Sequence, residues 1–205
     1  MAGPAYRIET ERLIVRCWEP HDAPLLQSAV EVSLEHLRPW MPWARGEPKS
    51  LDERVDLLRT FRARFDLDQE FVYGIFDRKE ARVLGGAGLH KRAGDDSLEI
   101  GYWVHVDHTG QGLATEASAA LTKVAFDVHG VDRVEIHCEP ANDRSAAVPA
   151  RLGFVCEATL RRRLVAADGT LADRMIWTLL REELSSSPAA SARVAAFDVI
   201  GRRVL

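Results

Sequence analysis

Hydrophobic and polar positions change their period several times along this chain, and each change marks an element. Residues 13–18 form an apolar run with β-branched members, which predicts a strand. Pro20 and Asp22 then open a short helical region through Leu25, Leu26 and Val30. Ser50 and Glu53 have capping-box spacing, and Leu51, Val55, Leu58, Phe61 and Phe65 follow on one face of a helix with an Arg/Asp-rich outer side. Three strand-like runs come next, at 70–76, at 83–89 and from Glu99. Short polar turns, one at Gly94-Asp95-Asp96, join them, so they predict an antiparallel meander.

In the run from Glu99, Ile100, Tyr102 and Val104 alternate with Gly101 and Trp103, as expected of a strand. A polar turn then leads to Gly110-Gln111-Gly112. From Leu113 the period changes to 3.6, with Ala114, Ala117, Leu121, Val124, Ala125 and Val128 on one helix face. A strand at 133–138 follows, then a short helix ending before Gly153. A last hairpin turns near Asp168-Gly169, with 174–177 in its return strand. The fold class is therefore α/β (α+β), a mixed, mostly antiparallel twisted sheet with helices on both faces. Residues 1–184 are expected to form one domain, the Ser/Pro-rich 185–192 a linker, and 193–205 an apolar tail that docks at an unspecified place.

Composition narrows the class. The chain has 205 residues, 46% of them hydrophobic and 28% charged, with net charge −4. That is enough for a proper core and argues against a nucleic-acid-coating protein. No run approaches the roughly 18 apolar residues of a membrane span, and the first residues lack a signal peptide, so a cytoplasmic location is expected. Cys17, Cys138 and Cys156 are odd in number, far apart and in apolar strand-like settings, and are read as buried inert thiols. No Cys or His pair has zinc-ligand spacing, so no metal is expected.

Candidate chemistry centres on the glycine loop. A strand, two glycines and a helix start gather unpaired backbone N–H groups and the positive helix end in one concavity, which suits a phosphate. The same pattern also serves as plain tight-turn chemistry. It is not a P-loop, since no Gly-Lys-Ser/Thr follows, and the third glycine of a dinucleotide fingerprint is missing. Further on come Asn142-Asp-Arg-Ser145 and Arg151-Leu-Gly-Phe154.

With the 99–117 segment, these motifs resemble the GNAT acetyltransferase superfamily, above all the Rim-type branch that acetylates N-termini of ribosomal proteins. The resemblance spans about residues 8–184. It implies a sheet splayed into a V and acetyl-CoA as co-substrate. By that resemblance the backbone amides of Gly110, Gln111, Gly112, Leu113, Ala114 and Thr115 hold the pyrophosphate, with His108 and Thr109 beside them. Trp103, Val104, His105 and Val106 pair with the pantetheine arm, and Asn142 binds it. Ser145 lies near the thioester sulfur and protonates the leaving thiolate. Thr109 stands where relatives carry Gln or Arg, so a phosphate contact is lost or passes to His108. Pro149 falls inside the helix from Asn142 and cannot donate to the Ser145 carbonyl. The acidic residue of some relatives' final hairpin is replaced by Arg161, Arg162, Arg163 and Leu164.

Plain structural roles stay open for each residue. Ser145 also suits a helix cap, Glu99 a paired strand residue, and 161–163 a solvated face. Trp40 and Trp43 suit an acceptor-pocket wall, core packing or the subunit contact of a homodimer. Direct transfer needs a neutral amine, and deprotonation at pH 7 costs about 4.6 kcal/mol for Lys but about 1 kcal/mol for an α-amine. Glu99 is the one plausible carboxylate base, acting through water, and no Cys–His nucleophile is apparent. The expected reaction is therefore direct attack by an N-terminal α-amine of a protein or peptide, with a backbone N–H near Val104 facing the oxyanion. The alternatives are acetylation of a small-molecule amine, antibiotic or toxic peptide, and a non-catalytic acyl-CoA sensor.

Overall fold

A computed structural model describes residues 3–166 and 169–205. Nine strands form one sheet in the order β7-β8-β6-β5-β4-β3-β2-β1-β9. In chain order they are β1 (Arg7–Glu9), β2 (Leu13–Cys17), β3 (Phe71–Asp77), β4 (Val83–His90), β5 (Ser97–Val104), β6 (Arg133–Cys138), β7 (Val155–Val165), β8 (Leu171–Leu180) and β9 (Ala195–Phe197). Every pairing is antiparallel except β5 with β6. The helices are α1 (Ala23–Leu37), α2 (Leu51–Asp66), α3 (Leu113–Asp127) and α4 (Asp143–Arg151).

Side chains alternate across the strands and sort into two apolar clusters. Val15, Tyr73, Ile75, Leu98 and Ile100 pack with Leu121, Val124 and Val148 of α3 and α4. Ile14 and Phe76, their neighbours in sequence, pack instead with Leu26 and Val30 of α1 and Leu58 of α2. Because both faces of the central strands are covered, those strands read as nearly continuous apolar runs. The Ser50–Glu53 box caps α2 as its sequence predicts.

Several elements differ from the sequence reading. The first helix continues to Leu37, because Ser33 and Leu37 are buried and tertiary packing carries it past Val32. Strands β1 and β9 were not anticipated, since three residues are too few to show a period. The 193–205 tail has a definite seat: Ile8 pairs with Ala196, both fully buried. Pro188–Ser191 forms a short 3-10 turn that buries Ala189. Cys17 and Cys138 are buried, but Cys156 is exposed, on β7 at one edge of the sheet. Asp168, where the last turn was expected, lies outside the described residues.

Candidate active site

Strands β5 and β6 are hydrogen-bonded only from Ser97↔Arg133 to Ile100↔Ile136. Beyond that point β5 continues along β4 to Val104, while β6 continues along β8 to Cys138. The two strands part, and their facing edges open into the expected V. Beside it, glycines in β4 let bulky rings lie close against that strand. A Cβ on Gly86 would stand 2.4 Å from Trp103 Nε1, and one on Gly88 would stand 2.6 Å from His90 Nε2.

One side of the opening is a cavity of about 1710 Å³. Trp103, Val104, His108, Thr109, Gly110, Gly112, Leu113, Ala114, Thr115 and Asn142 all line it. Gly110 and Gly112 have φ of +74° and +77°, and Gly112 sits at the N-cap of α3. The first N–H groups of α3 have no acceptor within the helix, so they and the helix dipole face this space. An added Cβ at Gly110 would meet nothing within 4 Å. The cradle fits the pyrophosphate of a CoA ester. His105, Val106 and Gln111 do not line the cavity. The His105 N–H donates to Leu84 O and the Val106 N–H to Ser33 Oγ, while the Gln111 carbonyl accepts from Arg12.

Arg12 went unnoticed in the sequence, because nothing links it to a loop a hundred residues away. Its guanidinium binds the Gln111 carbonyl at 2.9 Å and Glu116 at 2.6 Å, and Thr10 Oγ1 also holds Glu116 at 2.6 Å. A bare carboxylate in the first turn of α3 would oppose a phosphate. Arg12 neutralises it and pins the loop.

The second cavity, of about 710 Å³, meets the first at Trp40, Met41, Tyr102, Trp103, Asn142 and Ser145. Here the structure answers the question raised by Pro149. Without an N–H at position 149, the Ser145 carbonyl lacks its helical donor, and Tyr102 Oη donates to it at 3.0 Å. This contact holds Tyr102 Oη 3.1 Å from Ser145 Oγ. Asn142 caps α4 by accepting from the Ser145 N–H at 3.1 Å, which leaves its amide nitrogen for the cavity. Burial raises the Tyr102 phenol above its ordinary pKa, so it stays a neutral donor. From the sequence, Tyr102 shows only strand periodicity. The proline at 149 was the available signal.

Trp40 lines both cavities and Trp43 the second, where its ring meets Trp103 edge-on at 6.0 Å. Glu99 lines the second cavity too, held by Arg92 at 2.6 and 2.8 Å and lying 3.2 Å from His137 Nδ1. Burial pushes its carboxyl pKa up. The Arg92 hydrogen bonds and the neighbouring positive charges outweigh that, so Glu99 titrates below the ordinary range. His137 Nε2 reaches Glu135 at 2.7 Å, while its Nδ1, close to Glu99, is buried without a hydrogen-bond partner. Cys138 also lines this cavity, but burial raises its thiol pKa, which disfavours the nucleophilic thiolate. Among the described residues no cluster of His, Cys, Asp and Glu could hold a metal, and no helix is long and apolar enough to cross a membrane.

The arrangement therefore joins an anion cradle to a mixed aromatic and charged pocket through paired hydroxyls. Comparisons with known proteins identify the family. Residues 12–155 match the family model described as Acetyltransferase (GNAT) domain. The [Ribosomal protein uS5]-alanine N-acetyltransferase of Escherichia coli is 28% identical, covering 86% of this chain and 91% of its own. The ribosomal-protein-serine acetyltransferase of the same organism is 27% identical over 60% of this chain and 70% of its own. Mycobacterium smegmatis RimJ, solved in complex with CoA-disulfide, is 27% identical with a TM-score of 0.77, covering 92% of this chain and 91% of its own.

Proposed function

The chain belongs to the GNAT acetyltransferase family and is an N-acetyltransferase, and from that premise we propose that it moves the acetyl group of acetyl-CoA directly to the N-terminal α-amine of a protein or peptide. The observation that carries this reading is the junction of the two cavities at Tyr102, Asn142 and Ser145. Two reactants held on either side of that junction gain most of their rate from orientation.

The amine attacks the thioester carbon, the new C–N bond forms and the C–S bond breaks. A backbone N–H on the open edge of β5 near Val104 faces the developing oxyanion. Tyr102, whose one proton goes to the Ser145 carbonyl, holds Ser145 Oγ at 3.1 Å, and the Ser145 hydroxyl gives its proton to the departing thiolate and regains one from water. The proton lost by the amine passes, through water, toward Glu99 and the neighbouring His137. The buried, raised Cys138 thiol supports direct attack over an acetyl-enzyme.

Two considerations favour an α-amine. Deprotonation at neutral pH costs about 1 kcal/mol for an α-amine against about 4.6 for a lysine, and a carboxylate held below its usual range is a weak base. The two relatives are named for alanine and serine of ribosomal proteins, residues without a side-chain amine. The test is release of free thiol from acetyl-CoA in the presence of peptides with free or blocked N-termini. Release is expected only with free N-termini. Gly112→Val should abolish acetyl-CoA binding by calorimetry; equal release with blocked peptides would refute the reading.

A further inference from the structure

The acceptor cavity carries more positive charge than its own carboxylates neutralise. Glu47 is held by Arg54, Glu70 by Arg64 and His90, and Glu99 by Arg92, while Glu139 is also partnered. Three cations lining the same space touch no carboxylate among the described residues. They are Arg174, Lys49 and Arg45, the last of which donates to the Val165 and Ala166 carbonyls.

Arg174, on β8, is the most telling of them. Its side chain is partly buried, and its Nε is sealed from solvent without any hydrogen-bond acceptor. The acids nearest on the same hairpin are engaged elsewhere. Asp173 accepts from the Arg162 N–H at 2.9 Å, and Glu157 accepts from Thr178 Oγ1 at 2.9 Å. A guanidinium nitrogen withdrawn from water without an acceptor is costly to the fold. Such a group in a ligand cavity calls for an anion from the ligand.

We propose that Arg174 receives a carboxylate of the acceptor, so that the enzyme selects peptides with Asp or Glu within a few residues of the reacting α-amine. This inference rests on the α-amine reading above. The planar fork of a guanidinium matches a carboxylate in two parallel hydrogen bonds. Lys49 and Arg45 extend the same sign of charge along the pocket and draw in an acidic segment. Positive charge around the incoming amine also disfavours its protonated form, so selection and activation act together.

The test is a set of free-N-terminus peptides with Asp or Glu at positions two to four, against Asn or Gln at the same positions. It is run with the unaltered enzyme, Arg174→Gln and Arg174→Lys. Acetyl-CoA affinity and melting temperature are measured alongside to report folding. The unaltered enzyme is expected to favour acidic over neutral peptides about tenfold in kcat/KM, the scale of one charged hydrogen-bonded contact. Arg174→Gln should compress that ratio to roughly twofold, with Arg174→Lys between. Equal use of acidic and neutral peptides by the unaltered enzyme, or an unchanged ratio in Arg174→Gln, overturns the proposal. If acetyl-CoA binds but no peptide is acetylated, the α-amine reading itself fails and this inference falls with it.

Discussion

Ser145 and Tyr102 are in hydrogen-bond contact, and the proposal that they serve one task is tested by removing them separately and together. If Ser145 protonates the leaving thiolate as proposed, Ser145→Ala should lower kcat by roughly 10²-fold while acetyl-CoA affinity barely changes. Tyr102→Phe removes the donor to the Ser145 carbonyl and the hydroxyl that holds Ser145 Oγ, and should cost a similar factor, with the double variant little worse than either single one. Steady-state kinetics paired with calorimetry checks this, and independent, multiplicative losses would separate the two roles. Glu99 sets a pH expectation. Its pKa is lowered, so its charge is lost only as pH falls through the acid range, and it is ionised wherever an α-amine titrates. kcat/KM should therefore rise with pH toward about 7.8, tracking the amine. Glu99→Gln should lower the whole profile without moving its midpoint. A midpoint that shifts in Glu99→Gln would show that this carboxylate's own titration controls the rate.

At the level of elements, α4 shows how a local irregularity becomes a site. Pro149 was legible in the sequence as a missing backbone donor, but the partner that takes up the Ser145 carbonyl comes from a strand 43 residues away. Pro149→Ala restores the helical N–H, which then competes with Tyr102 for that carbonyl. The helix should gain stability while turnover falls several-fold, read by thermal melting beside kcat; a stabilised variant with unchanged kcat would detach the proline from the chemistry. The capped α2, the glycine loop at α3 and the β3–β5 meander were also legible, because cap, turn and period are written within a few residues. Arg12, Tyr102 and Arg174 were not. Each acquires its role only when the fold brings it to a loop, helix or cavity distant in sequence.

For the molecule as a whole, the parting of β5 and β6 is the feature on which the rest depends, since it opens two cavities onto one junction. The sheet around it ends at one edge in β9 against β1, a pairing far apart in the chain, and at the other in the β7–β8 hairpin. The 193–205 segment was expected to dock, yet its seat depended on β1, a strand too short to see. Pro188, Ala192 and Arg193 then reach the wall of the larger cavity, so this C-terminal segment shapes the cofactor side as well as the sheet edge. The most direct test of the account is to offer one peptide carrying both a free α-amine and an internal lysine, with acetyl-CoA, and to locate the new acetyl group by tandem mass spectrometry. The account requires the label on the α-amine, with one free thiol released per acetyl transferred; acetyl on the lysine, with the α-amine untouched, would contradict it.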